Sequence, residues 1–73
     1  MEITGRTAVL FILSDPVVHV RGTSLFNAQF EREGIDAAFS PLHVLPGDLP
    51  TVVTALRSAQ NVAGFGVTIP HKI

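Results

Sequence analysis

The sequence predicts an α/β fold in which three strands and two helices alternate as β-α-β-α-β around a mainly parallel sheet. Two observations support this prediction. The candidate strands are short apolar runs bounded by turn residues, as expected for strands that are buried on both faces of a parallel sheet. The segments between them carry helical signals and are short enough for right-handed crossovers between parallel strands.

The first predicted strand covers residues 7–13 (TAVLFIL). A helix of this length is the alternative, but the Ser-Asp-Pro sequence that follows favours a strand. A helix comes next, with Thr23 or Ser24 as the expected N-cap, because a hydroxyl there can accept a hydrogen bond from a backbone N–H of the first turn. Gly34 is expected to end this helix in the left-handed conformation, which glycine adopts without steric cost.

The second predicted strand covers residues 37–44 (AAFSPLHV), and the third covers residues 62–69 (VAGFGVTI). Pro41 lies within the second strand and lacks the N–H that a ladder hydrogen bond requires, so this strand is expected at an edge of the sheet.

The second helix has the clearest pattern, because four apolar residues spaced i, i+3, i+4 and i+7 form one stripe. Asp48 is the expected N-cap, and Pro50 is tolerated in the first turn, where its missing N–H would lack a partner anyway. The helix is expected to end within residues 58–61. The stripe consists of Leu49, Val52, Val53 and Leu56.

The composition excludes several classes of protein. The 73 residues have no cysteine, a net charge of −1 and no cluster of basic residues, so neither disulfides nor nucleic-acid binding is expected. No apolar run is long enough to span a membrane, and the run at residues 8–13 is too short for a signal peptide, so we expect a cytoplasmic protein. Since 47% of the residues are apolar, more than so small a domain can bury, we expect a fragment of a larger protein or half of an assembly.

Candidate chemistry is expected at the carboxyl ends of the strands, where open parallel sheets bind ligands. The segments at residues 14–24 and 68–72 lie there. Lys72 is the notable group, because a lysine that is partly desolvated beside the sheet has a lowered pKa, which suits proton transfer. Taken alone, the Thr-Ile-Pro-His-Lys string fits a solvated loop equally well.

Two segments resemble the shikimate dehydrogenase family. Residues 64–72 (GFGVTIPHK) are similar to the family signature Gly-x-Asn-Val-Thr-x-Pro-His-Lys, and residues 15–19 (DPVVH) are similar to its Gly-Asp-Pro-Val-x-His-Ser-Leu-Ser-Pro segment. Asn27, Phe30 and Gly34 also lie at the family's spacing, so the resemblance covers nearly the whole chain.

The resemblance implies that residues 1–73 are part of a three-layer α/β/α substrate-binding domain of a two-domain oxidoreductase, which reduces 3-dehydroshikimate to shikimate or converts a related keto or hydroxy compound. It implies that Lys72 is the acid–base group, paired with an aspartate beyond this chain, and that the Thr68 hydroxyl contacts the substrate. It also implies NADP as the cofactor. No Gly-x-Gly-x-x-Gly fingerprint occurs here, so NADP is assigned to a second, Rossmann domain absent from this chain.

Three positions depart from the family's substrate site. Val20 and Gly22 stand where the family has the two serines that hold the substrate carboxylate, and Gly66 replaces the asparagine of the signature. Arg21 lies between the two lost serine positions, and its guanidinium could bind a carboxylate through two hydrogen bonds. The alternative for Arg21 is a solvated loop arginine.

The departures leave alternatives to shikimate chemistry open. One is a divergent enzyme for another small hydroxy or keto compound, and another is a non-catalytic binding or regulatory relative that kept the fold. No metal is expected, because the three histidines are 24 and 28 residues apart, which matches no local zinc motif. A homodimer of the full-length protein also stays open.

Overall fold

The fold is described from a computed structural model, which covers residues 2–18 and 20–68. Within these residues the order β-α-β-α-β is confirmed. The third strand was predicted to extend to Ile69, but it ends at Val67, and Ile69 itself lies outside the described residues. The strands are β1 (Ala8–Ser14), β2 (Ala37–His43) and β3 (Val62–Val67), and the helices are α1 (Gly22–Glu33) and α2 (Leu49–Ser58).

The described strands form one sheet in the order β2-β1-β3, and both pairs are parallel. The predicted parallel sheet is therefore confirmed. β1 is the central strand, and its Leu13 pairs with Leu42 on one side and with Val67 on the other. The Leu13 side chain is fully buried. A strand with neighbours on both sides and apolar residues on both faces suits this central place.

The two connections run in opposite directions across the sheet. The chain passes through α1 from β1 to β2 on one side, and then through α2 from β2 to β3 on the other side of β1. Crossovers between parallel strands are almost always right-handed, so a reversal of direction places the two helices on opposite faces. This arrangement agrees with a portion of a three-layer α/β/α domain.

The start of α1 differs from the sequence-based expectation. The helix begins at Gly22, its N-cap position is Arg21, and no side chain caps it. Thr23 and Ser24 are thus inside the first turn, and the Ser24 N–H donates to the carbonyl oxygen of Arg21 over 3.3 Å. The prediction of a Thr23 or Ser24 cap was wrong, because Thr23 is 7% exposed and packs inward as part of the helix.

The end of α1 is confirmed at Gly34, which has φ 65° and ψ 27°. The Gly34 N–H donates to the carbonyl of Glu31, and the Ile35 N–H donates to that of Phe30. This pair of hydrogen bonds is the Schellman motif, which satisfies carbonyl groups that the last helical turn leaves unpaired.

Helix α2 has the predicted start and end, with Asp48 at the N-cap position and Pro50 in the first turn. The Asp48 side chain makes no capping hydrogen bond; instead, a short 3-10 turn at Pro46–Asp48 leads into the helix. The predicted stripe is confirmed as the less exposed face of α2, since all four of its members are half-buried: Leu49, Val52, Val53 and Leu56.

β2 lies at an edge of the sheet that the described residues form, as Pro41 predicted. The Asn27 side chain of α1 donates to the Phe39 carbonyl over 2.7 Å and accepts from the Phe39 N–H over 2.8 Å. Both backbone groups of Phe39 therefore face away from β1. Pro41 has the same orientation two residues later, so the hydrogen bonds between β1 and β2 do not require an N–H at this position.

Candidate functional site

The sheet has a topological switch point between β1 and β3, because the connections from β1 and from β2 leave in opposite directions there. In open α/β sheets the ligand crevice lies outside the carboxyl ends of the strands at such a point. The segments that follow β1 and β3 border this crevice, and both were singled out from the sequence.

Local hydrogen bonds shape the segment that follows β1. The buried Ser14 hydroxyl donates to the Pro16 carbonyl over 2.7 Å, and the Val20 N–H donates to the Val17 carbonyl over 3.0 Å. The Asp15–Pro16 peptide bond is cis. Val20 itself is half-buried. This folded loop joins the end of the central strand directly to α1.

Arg21 and Gly22 lie where this loop enters α1, and both are exposed. Within residues 2–18 and 20–68, no hydrogen-bond or ion-pair partner holds the Arg21 guanidinium. A Cβ added at Gly22 would meet no atom within 4 Å, so a larger side chain fits there. The loop therefore presents a free cation beside an open position at the amino end of a helix, where partial positive charge also favours an anion.

The opposite border of the crevice is the end of β3. The Thr68 N–H donates to the Leu13 carbonyl over 3.0 Å, which ties Thr68 to the central strand. Gly66 pairs with Ile12, and a Cβ at Gly66 would lie 3.5 Å from Ile12 Cδ1, an ordinary van der Waals contact. Thr68 is half-buried and Gly66 is exposed.

The structure thus brings two groups of predicted residues to one edge of the sheet: the loop residues Val20, Arg21 and Gly22 on the β1 side, and Gly66 and Thr68 on the β3 side. Lys72, the predicted acid–base group, lies outside the described residues, as does His71. The role of Lys72 stays a prediction.

A hydrogen-bonded histidine–aspartate pair at this edge was not foreseen from the sequence. His43 Nε2 lies 2.7 Å from Asp15 Oδ1 and joins the last residue of β2 to the first residue after β1. The signal that could have revealed the pair is parallel pairing itself, because Ser14 is the register partner of His43.

The described part of the chain gives no sign of a metal site or a membrane span. Among residues 2–18 and 20–68, no three side chains of the His, Cys, Asp or Glu type come together as potential metal ligands. Neither described helix has the length and apolar character needed to cross a membrane.

The parallel sheet, with its switch point and its two bordering loops, defines a ligand-binding α/β domain of the open-sheet class. The chain belongs to the family of shikimate dehydrogenase substrate binding domains, whose profile matches residues 12–73. The expectation drawn from the sequence motifs is confirmed at this level.

Individual relatives agree with the family assignment. The NADP(+)-dependent shikimate dehydrogenase of Geobacter metallireducens is 46% identical over 72 residues, which cover 99% of this chain and 25% of that protein. A shikimate dehydrogenase solved in complex with NADP+ superposes with a TM-score of 0.89 at 33% identity, over 99% of this chain and 25% of that one. Shikimate 5-dehydrogenase from Listeria monocytogenes, solved with shikimate and NAD, gives a TM-score of 0.86 at 27% identity, over 96% of this chain and 24% of that one. The chain spans about a quarter of the length of the relatives it matches.

Proposed function

We propose that this chain is the substrate-binding, amino-terminal part of an NADP-dependent dehydrogenase that interconverts 3-dehydroshikimate and shikimate. The observation that carries the proposal is the anchoring of Thr68 to the central strand at the switch point, in a chain that resembles shikimate dehydrogenases along nearly all its length. The Thr68 hydroxyl contacts a substrate hydroxyl, and the strand pairing keeps it in place.

Lys72 is proposed as the proton donor for ketone reduction. NADPH, when bound by the rest of the protein, would supply the hydride for this reduction, and the Lys72 ammonium would donate the proton that the substrate oxygen needs. Lys72 follows Thr68 by four residues, so both belong to the segment that leaves β3 at the crevice.

The cofactor is assigned to a part of the protein other than residues 1–73. This chain has no Gly-rich turn of the dinucleotide-binding type between a strand and a helix, and the connection from β1 to α1 has a single glycine, Gly22, at its end. The sequence has no Gly-x-Gly-x-x-Gly run, so the second domain is proposed to bind NADP.

The substrate carboxylate is proposed to bind differently from the family pattern. Val20 and Gly22 have replaced the two serine hydroxyls, and Arg21 between them is exposed and has no described partner. A guanidinium at the amino end of α1 can bind a carboxylate through two parallel hydrogen bonds. The loss of both hydroxyls also favours a second candidate function, a dehydrogenase for another small hydroxy or keto compound.

A chimera tests the proposed function. In it, residues 1–73 replace the matched quarter of the Geobacter metallireducens relative, which supplies the remaining domain. We expect NADP-dependent oxidation of shikimate by the chimera and none by the 73-residue chain alone. We also expect Lys72→Ala in the chimera to lower kcat by roughly 10²–10⁴-fold with a much smaller effect on KM, because proton transfer matters in the transition state.

Lys72→Arg is the matched control, since arginine keeps the positive charge but does not release its proton at neutral pH. It should be as inactive as Lys72→Ala while binding shikimate like the parent chimera. Turnover by the 73-residue chain, or full activity of both Lys72 variants, would contradict the proposal. Activity of the chimera with other hydroxy acids and none with shikimate would favour the second candidate.

A further inference from the structure

The loop that follows β1 (residues 15–18 and 20–21 of the described chain) is joined to β2 by a side-chain contact that lies outside the ligand crevice. Its internal hydrogen bonds join residues two or three positions apart, from Ser14 to Pro16 and from Val20 to Val17. The Asp15–His43 pair joins residues 28 positions apart. Of the side-chain hydrogen bonds that the described residues show for this loop, this one alone connects it to another strand.

The pair lies on the side of β1 away from the crevice. β2 and β3 flank β1 on opposite sides, and the crevice is bordered by β1 and β3. On the β2 side, the Val44 N–H donates to the Ser14 carbonyl over 3.0 Å, one residue beyond His43. The end of β2 therefore holds the start of the loop through one backbone hydrogen bond and one side-chain hydrogen bond, on the side of β1 away from the crevice.

The two side chains can hold each other in place without being deeply buried. The His43 side chain is 49% exposed and that of Asp15 is 28% exposed, and Nε2 and Oδ1 lie 2.7 Å apart. An exposed pair adds little to overall stability. Its local effect is different, because Asp15 is the first residue of the loop, and a fixed start limits the conformations open to Val20 and Arg21.

We propose that His43 is a positioning residue for substrate binding: through Asp15 it holds the loop that presents Val20, Arg21 and Gly22 to the ligand. This inference rests on the proposed function, since it assigns the loop to the substrate site. His43 does not touch the substrate. Because a loop position affects the bound ground state and the transition state alike, its loss should appear in KM and leave kcat nearly unchanged.

The test uses His43→Phe in the chimera, which keeps an aromatic ring and removes Nε2. We expect KM for shikimate to rise roughly three- to tenfold, while kcat changes by less than about twofold. The upper limit of the change in KM corresponds to the loss of one hydrogen bond to a charged group. His43→Gln, whose amide N–H₂ can donate to the carboxylate, should recover most of the loss. Ser40→Ala, in the same strand but directed to the Pro41 carbonyl, is the control and should leave KM unchanged.

Amide hydrogen exchange separates this inference from the proposed function. If the chimera does not act on shikimate, amide exchange at residues 17–22 still decides the role of His43: faster exchange in His43→Phe than in Ser40→Ala supports it. The role of His43 would be overturned if His43→Phe left both amide exchange and KM unchanged. It would also be overturned if kcat fell by the same factor as KM rose. If His43→Phe fails to fold, Asp15→Ala removes the acceptor oxygen from the other side of the pair, and the same changes in KM and exchange are expected from it.

Discussion

Val20 and Gly22 are the residues at which this chain departs most clearly from its family, and the structure shows that both positions could carry a hydroxyl. Gly22 is exposed, its φ is not in the left-handed region, and an added Cβ would meet no atom within 4 Å. Val20 is half-buried and larger than serine, so a serine side chain fits in its place. Serine would therefore fit the observed backbone at both positions, so crowding does not explain why the two serines are replaced.

The double substitution Val20→Ser/Gly22→Ser is expected to strengthen shikimate binding by the chimera at least about tenfold, since each hydroxyl can donate a hydrogen bond to the carboxylate. Calorimetric titration of shikimate into the parent and the doubly substituted chimera measures this. Gly66→Ala, which has room for its Cβ 3.5 Å from Ile12 Cδ1, is the control for adding a small group at the same edge.

The same titration also tests the role proposed for Arg21 and the identity of the ligand. Tight binding by the parent chimera, lost in Arg21→Gln, would show that the guanidinium has taken over from the serines. Weak binding by both the parent and the doubly substituted chimera would mean that the crevice serves another ligand, and the assignment to shikimate would then be dropped.

At the scale of elements, the packing of α1 against β2 is more specific than apolar contact alone. The Asn27 amide satisfies both the N–H and the carbonyl of Phe39, as a neighbouring strand would. The rings of Phe26 and Phe39 lie 5.4 Å apart between centroids and tilted by 56°, a favourable aromatic geometry. A side-chain amide thus covers part of an edge that would otherwise be open to pairing with another strand.

Asn27→Leu is expected to leave the Phe39 N–H and carbonyl without their partner and to destabilise the fold by about 1–3 kcal/mol, the cost of leaving such groups unpaired. Amide exchange at Phe39 in the chimera should become fast. Asn27→Asp separates the two hydrogen bonds, because its carboxylate still accepts from the Phe39 N–H, which should stay protected, but cannot donate to the Phe39 carbonyl. Slow exchange at Phe39 in Asn27→Leu would show that another group covers this edge.

At the scale of the whole molecule, the chain buries little for its size. Its accessible surface is 5003 Å², whereas a compact protein of 7.8 kDa exposes about 4,400 Å². Its radius of gyration is 12.6 Å, compared with about 11 Å for a compact domain of this length. Among the described residues, the buried apolar side chains are Leu13, Ala37 and Val44, and the large exposed ones are Ile3, Val18, Leu25, Phe26, Ile35 and Leu45.

The 73-residue chain alone is therefore expected to be marginally stable and to associate in dilute solution. Apolar side chains on its surface, and the side of β3 that no described strand covers, favour contacts between chains. Sedimentation velocity should show oligomers, and thermal unfolding followed by circular dichroism should be broad. A monomer with a sharp, cooperative transition would contradict this expectation, and the chimera, in which another domain accompanies the chain, is the reference.

Much of the fold could be predicted because its signals are local. The stripe of α2 follows from the 3.6-residue helical period, and the end of α1 follows from the ability of Gly34 to adopt positive φ. The edge position of β2 follows from the missing N–H of Pro41. Each of these properties belongs to a residue or to its spacing along the chain, so no knowledge of distant contacts was required.

The start of α1 could not be predicted in the same way. Thr23 and Ser24 are good capping residues, but the burial of Thr23 decides that the helix has already begun at Gly22. Burial depends on what packs against a side chain, so local preference gives way to tertiary contact there.

The sequence by itself determined the class of fold, the two segments that border the crevice and the family, because periodicity, turn residues and motifs are written along the chain. The tertiary structure alone decided which strands are neighbours, that Asn27 covers the edge of β2, and that His43 reaches Asp15. These contacts join residues 12 and 28 positions apart. They form only when β1 and β2 pair in one register, and that register results from the packing of the whole sheet and is not a property of either segment alone.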